Sequence, residues 1–303
     1  MSGKIPPPIA ANKKLKSNAS TTSLYDCAQT TSIMSTNALA FLLLTQYREG
    51  ASIDKLVNAL DNLRKELEYA RRDIGFTGDS IDVINYAVEM LGPALVRKER
   101  INNEEIIKPI AILPNVIELT YYSNTLVTHF ALESIVAIAI DALDKTSGSV
   151  IHQDIVENVL DLCDILQLEF LFCKPCQSLE HTITSCIDEL VIRKQIFLVD
   201  NDEDAVLNAR SRRIAKQFED NDDEEVEECL QKIYKVNPNK SAVDTLKHLK
   251  GTVMPLIESY SITAFTLDKL VGRQLLEEEL LKDILAELES QLVAGTIKYG
   301  KYN

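Results

Sequence analysis

The stretch that most constrains this chain is Leu113 to Leu143, LPNVIELTYYSNTLVTHFALESIVAIAIDAL. It is the longest apolar-rich segment, and it opens on Pro114, a residue that stops whatever precedes it. A run of this length and composition reads as one long helix, or two short ones in line, with most of its surface covered. Its polar groups are few: Glu118, the cluster Tyr121, Tyr122, Ser123 and Asn124, and His129. Other segments must supply the apolar faces that cover it. The 303 residues are 46% hydrophobic and 26% charged, with no tryptophan and few glycines and prolines, which favours helices and a mainly α, multi-helix fold.

Those segments can be read in order. Ser35–Tyr47 is a short, strongly apolar helix ending near Gly50. In the next segment Ile53, Leu56, Val57, Leu60, Leu63 and Leu67 recur at three- and four-residue steps, an amphipathic helix with Ser52 placed to cap it. Gly75 and Gly78 turn the chain into a helix that starts at Asp79 or Ser80 and ends at Gly92-Pro93. Between Ala94 and Ile112 the pattern becomes that of a small β-hairpin turning at Asn102-Asn103, with Pro109 marking its second strand as an edge. After the organising stretch, Ser149 is placed to cap a helix through Leu166. Leu168–Phe172, Ser178–Arg193 and Gln195–Val199 then complete a helix, strand, helix, strand unit over 150–199, reminiscent of a winged helix.

Charge divides the chain further. Residues 1–25 carry four lysines and no acid, leaving −18 for the remainder of a chain with net charge −14. Residues 1–24 read as a disordered basic tail. Residues 200–228 hold twelve acids against four basic residues, and 200–240 reads as a solvated acidic linker between a helical region at 25–199 and a terminal helical pair at 241–303. The acidity argues against nucleic acid as a partner and against broad adhesion to anionic lipid. No stretch of ~20 uninterrupted apolar residues is present to span a bilayer. The short apolar runs at 38–44 and 135–140 read as buried core first and as a membrane-facing surface second. Six scattered cysteines fit a reducing, intracellular setting.

Catalytic chemistry is hard to find. His129 sits among Val127, Phe130 and Leu132, as a core or interface histidine that shares one hydrogen bond; His152 and His181 open helices, and His248 lies on the polar side of another. None stands beside a serine or cysteine in a recognisable nucleophile motif. Cys173 and Cys176 form CKPC, but Cys163, His181 and Cys186 do not complete a zinc module, so a cysteine-based metal protein is the weakest reading. No glycine-rich phosphate loop occurs. The residues alone describe a helical interaction domain, with no metal or cofactor site.

Several segments, in order, carry a resemblance: IMSTNALAFLLL (33–44), IGFTGDS followed by IDVINYAVEMLG (74–92), LPNVIELTYYSN (113–124), KPCQSLE (174–180) and GTVMPLIESYSITA (251–264). Together they resemble the region downstream of the catalytic core in glycerol-3-phosphate acyltransferases of the mitochondrial type, relatives of the dihydroxyacetone-phosphate acyltransferases. The resemblance runs from about Tyr25 to about Leu292, and its specificity lies in the number and order of the segments. That family transfers an acyl group from acyl-CoA to glycerol 3-phosphate in phospholipid and triacylglycerol synthesis, using an HxxxxD motif as base and orienting carboxylate. Here the fifth residue after each histidine is Ser134, Glu157, Cys186 or Val253, and no histidine has its aspartate.

The resemblance therefore implies a carboxy-terminal region, inactive by itself, that packs against a catalytic acyltransferase domain or a full-length family member. It also seats that partner at a membrane surface through the apolar helices at 38–44 and 131–143, by family resemblance at the mitochondrial outer membrane. The family continues past the helix ending near Ala294, so the sequence is expected to stop early. A partial gene model, an excised fragment and a non-catalytic paralogue acting as an interaction or regulatory module all fit. Within this picture Glu118 and Tyr121 to Asn124 are expected to form a hydrogen-bonded joint, either within this region or against the catalytic domain, with His129, Glu258 and Tyr260 as further structural or interface residues.

Overall fold

The computed structural model describes residues 9–101, 104–147, 150–199, 232–272 and 274–297. In chain order the elements are α1 (Ile9–Thr30), α2 (Ser35–Thr45), β1 (Ala51–Ser52), α3 (Ile53–Tyr69), α4 (Ser80–Leu91), β2 (Val96–Ile101) and β3 (Glu104–Pro109). There follow α5 (Asn115–Ser147), β4 (Val150–Ile151), α6 (His152–Ile165), α7 (Leu179–Ile192), β5 (Ile196–Val199), β6 (Ile233–Val236), α8 (Lys240–Leu267) and α9 (Glu277–Val293). The fold is mainly α, with two three-stranded antiparallel sheets ordered β1-β3-β2 and β4-β6-β5.

The organising stretch is one helix, α5, and its two halves are buried differently. In the first half Val116, Leu119, Ser123, Leu126 and Phe130 are buried at helical spacing, while Ile117, Glu118, Tyr121, Asn124 and Thr128 face outward. In the second half Ala131, Ser134 to Ala137, Ala139 and Ile140 are all buried, so the helix is covered on several sides. Its most extensive contacts are with α2 and α8, and α6 and α7 add to the cover. α2 is apolar all round because it too is enclosed: every residue from Ala38 to Leu44 is buried. Phe41 of α2 stacks on Phe130 of α5 with ring centroids 5.4 Å apart. Each large apolar side chain enclosed in this way contributes roughly 1.5–3 kcal/mol. Leu246, Leu249 and Val253 of α8 belong to the same core.

α3 buries the stripe Leu56, Leu60, Leu63 and Leu67, although Ser52 at its N-cap makes no side-chain capping bond. α4 ends at Gly92, which takes φ +75°. The turn after α2 depends on Gly50. Its φ is +92°, and a Cβ there would stand 2.8 Å from Ile106 Cγ2 and 3.2 Å from the Ile107 carbonyl, so only glycine lets this turn lie against β3.

Several expectations are corrected. β3 is the central strand of its sheet, because Ala51 and Ser52 pair with Ile107 and Ile106. Pro109 lies at the end of β3, beyond the two residues that β1 covers. Leu168–Phe172 is not a strand, while Ile233–Val236, inside the span read as linker, is the centre of the second sheet, with Tyr234 enclosed. Val150 and Ile151 pair with that strand, so α6 starts at His152 after a strand; Ser149 lies outside the described residues, as do 200–231. Residues 9–30 are helical where a disordered tail was expected, and Asp26 of that helix pairs with Lys174 at 2.9 Å. The helix at 38–44 is interior and the stretch 131–143 largely so. Asn115–Thr146 is nonetheless long and apolar enough to cross a membrane by length and composition, a property that counting uninterrupted runs misses; half of its most apolar window is buried in the protein.

Replacing Gly50 with alanine is expected to lower unfolding free energy by about 1–3 kcal/mol, through the positive φ and the contact with Ile106. Urea denaturation measures this, and an unchanged midpoint would mean that the turn relaxes freely.

Candidate functional site

Among the described residues the polar side chains of α5 form no such joint within the chain itself. Tyr121 is 76% exposed, Glu118 and Asn124 are exposed, Tyr122 is half-buried and Ser123 is buried. Among the described residues no hydrogen bond reaches the side chains of Glu118, Tyr121, Tyr122 or Asn124. The joint at this level is made through backbone: Asn37 Nδ2 donates to the Tyr122 carbonyl at 2.9 Å, while Asn37 Oδ1 accepts from Met34 N at 2.9 Å. One side chain thus caps α2 and ties it to α5, a role that spacing within 113–143 cannot reveal. Ser123 and Asn124 line a cleft of about 390 Å³ with Glu169, Phe170 and the Gly251–Ser259 face of α8. Tyr260 donates its hydroxyl to Glu169 Oε1 at 2.9 Å and so fastens α8 to the segment after α6; Glu258 is half-buried on α8.

His129 is half-buried in a pocket of about 250 Å³ with Arg72, Glu133, Cys186 and Glu189. Burial, and then the Arg72 guanidinium, push its pKa down to about 4, so the ring is neutral. Among the described residues neither ring nitrogen has a hydrogen-bond partner, which corrects the expectation of one shared bond. Ser134 occupies the fifth position after His129. On a continuous helix that separation turns a side chain by about 140°, and Ser134 accordingly faces α8, where its buried Oγ accepts from Val253 N at 3.2 Å. An aspartate at this position would point into the α5–α8 contact, away from the His129 ring.

The strongest electrostatic feature lies one turn along. Arg193, just after α7, forks onto Glu133 of α5 at 3.2 and 3.3 Å, approaches Glu189 at 4.0 Å, and lies 5.4 Å from the centroid of the Tyr69 ring of α3. Tyr69 in turn donates to Glu189 at 3.0 Å. Glu66 completes the group; burial first, then Glu133, raise its pKa to about 7, against the lowering pull of Arg193. The fork ties three helices, and its geometry is that of a structural clamp. Cys186 is buried nearby with its thiol pushed up, and burial pushes Cys163 up to about 12, so neither is a ready nucleophile.

The remaining chemistry-bearing residues are dispersed. His181 has its backbone N–H on the N-cap Ser178 Oγ at 3.5 Å, and His152 donates its backbone N–H to the Lys232 carbonyl at 2.9 Å. Cys173 is half-buried and Cys176 exposed, both as free thiols. Among the described residues no three His, Cys, Asp or Glu side chains converge as a metal site.

Glu66 and His129 oppose each other in pH dependence. The carboxyl of Glu66 rises from 4.5 to about 7 on folding, so its contribution is full below pH 4.5 and is lost as pH climbs through 7. The imidazole of His129 falls from 6.5 to about 4, so its contribution is present above pH 6.5 and is lost as pH drops through 4. Between those limits the slopes, each at most ~1.4 kcal/mol per pH unit, cancel. Glu66→Gln should unmask stability that rises from pH 4 to 6.5, and His129→Leu stability that falls from pH 4.5 to 7. Urea titrations across pH measure both, and parallel curves for the two variants would refute the opposition.

Comparison with known proteins gives one consistent answer. The family model for the glycerol-3-phosphate acyltransferase C-terminal region matches residues 6–302. The mitochondrial glycerol-3-phosphate acyltransferase 1 of Sus scrofa is 26% identical over 284 residues, covering 86% of this chain and 34% of that protein. The Mus musculus protein of the same name is 27% identical over 288 residues, covering 87% and 34%. A probable mitochondrial glycerol-3-phosphate acyltransferase of Caenorhabditis elegans is 28% identical over 175 residues, covering 55% and 23%. The chain spans about a third of the length of the mammalian relatives it matches. By the match of nearly its whole length, the chain belongs to the glycerol-3-phosphate acyltransferase C-terminal region family.

Proposed function

We propose that this chain is the helical scaffold of a glycerol-3-phosphate acyltransferase: it packs against a catalytic domain that moves an acyl group from acyl-CoA to glycerol 3-phosphate, and has no turnover of its own. The observation that carries this reading is the family match over residues 6–302 in a chain without a single HxxxxD. The geometry supports it. Ser134 faces away from His129, the Arg193 fork is a clamp between helices, and the buried thiols are protonated. Among the described residues, uncovered apolar side chains recur at four-residue spacing on three helices: Tyr86 and Met90 on α4, Leu281 and Leu285 on α9, and Leu113, Ile117 and Tyr121 leading into α5. The last of these stripes is the proposed docking face for the catalytic domain. The names of the relatives favour a mitochondrial setting, and within this proposal the assembly sits at the outer membrane surface.

The purified chain, given acyl-CoA and glycerol 3-phosphate, should show no turnover above a buffer blank. Mixed with the catalytic part of a family member, it should form a stoichiometric complex. Ile117→Asp with Tyr121→Asp should weaken that complex by at least about tenfold without lowering thermal stability. Glu118→Ala should change stability by less than ~1 kcal/mol, since the residue is exposed and contributes through the helix dipole alone. Turnover by the chain alone, or a complex indifferent to the Ile117 and Tyr121 changes, would overturn the scaffold or its docking face respectively.

A further inference from the structure

A cleft of about 620 Å³ opens between the turn after α2, the β2–β3 hairpin and the first half of α8. Its wall carries Arg48, Arg97, Lys108, Lys247 and His248 against two acids, Glu49 and Glu99. These cations are far apart in sequence, and they converge against the overall charge of a chain at −14. Coulombic repulsion would disperse such a group unless something of opposite sign offsets it.

In the hairpin that offset is incomplete. Arg97 and Lys108 stand directly opposite each other in the antiparallel ladder, a like-charge pairing that costs stability. On the other face of the same hairpin Lys98 is fully provided for, with Glu105 at 3.4 Å and Asn85 at 3.1 Å. Among the described residues the side chains of Arg97, Lys108 and Lys247 have no ion pair or hydrogen bond. Arg48 is held in place by its Nε bond to the Leu44 carbonyl at 2.5 Å, just before the Gly50 turn that lies against β3. On the cleft side of the hairpin Arg97 and Lys108 are thus left without an ion pair, beside Glu99 of the same wall.

We propose that this cleft binds a phosphate-bearing anion, held by Arg97, Lys108 and Lys247, with Arg48 and His248 completing the wall. Four cations less two acids match the double charge of a phosphate monoester, and a guanidinium presents paired donors to two of its oxygens. The volume suits a group larger than a bare ion, and Pro109 to Ile112 supply an uncharged side for an organic portion. Two sources carry this chemistry, a soluble phosphate compound and a lipid headgroup. The inference stands on the cleft alone and is independent of the scaffold reading.

The test uses the full chain at low ionic strength, with inorganic pyrophosphate in a calorimetric titration and, separately, sedimentation with phosphatidylcholine vesicles with and without phosphatidic acid. The double variant Arg97→Gln, Lys108→Gln removes the cleft cations. A control double variant, Lys55→Gln with Lys282→Gln, removes exposed cations elsewhere at equal cost in net charge. Pyrophosphate binding weakened about tenfold or more in the cleft variant and unchanged in the control supports a soluble ligand. The same selective loss seen with phosphatidic acid vesicles alone supports a headgroup. Because the cleft variant removes a repulsive cross-strand pair, it should unfold at an equal or higher urea concentration than the parent, which separates loss of binding from loss of fold. Binding of neither probe, binding that survives in the cleft variant, or equal loss in the control overturns the proposal.

Discussion

The structure depends on covering the second half of α5. From Ala131 to Ile140 that helix is buried on several sides, and α2 and α8 do most of the covering. Both partners carry the cost of this arrangement in their own composition. α2 has no polar face left to show, and α8 must bring Leu246, Leu249 and Val253 inward from a segment that follows the acidic stretch. The buried polar groups at these contacts are satisfied across helices. Ser134 accepts from a backbone N–H of α8, and Asn37 spans from the cap of α2 to a carbonyl of α5.

The same packing decides which chemistry is available. A single continuous α5 places His129 and the fifth residue after it on different faces. One looks into a small pocket beside Arg72, the other into a buried helix contact. Burial then holds the imidazole neutral and the neighbouring thiols protonated, while the Arg193–Glu133 fork joins α3, α5 and α7. Chemical potential is thereby converted into rigidity. Open to solvent among the described residues are apolar stripes on α4, on α9 and at the start of α5, and a cleft whose cations come from three separate elements.

Much of the fold is legible in the sequence where the signal is local. The leucine spacing of α3, the glycine stop of α4 and the apolar saturation of α2 and α5 each follow from periodicity or from one residue's conformational range. The misreadings share a cause. Ile233–Val236 is four residues long beside a dense acidic run, and Leu168–Phe172 is as strand-like in composition but has no neighbour to pair with. Strand formation is settled by the partner, which local composition does not contain. Membrane-facing and core-facing apolar runs are likewise indistinguishable until something is seen to cover them, so 38–44 and 131–143 read either way in isolation.

The candidate joint at Glu118 to Asn124 illustrates the limit. Polar residues in an apolar stretch imply some reason for their presence, but one-sided burial of the first half of α5 turns most of them outward, and the bond at that level goes to a backbone carbonyl. By itself the sequence determined the mainly α character, the long central helix, the absence of an HxxxxD and, through ordered segments, the family. Only the tertiary structure decided which apolar surfaces are interior, that Arg193 closes on Glu133 across 60 residues, and that Arg48, Arg97, Lys108 and Lys247 share one cleft. Periodicity and residue type act over a few residues, whereas burial, ion pairing and field strength depend on distances that only the packed chain sets.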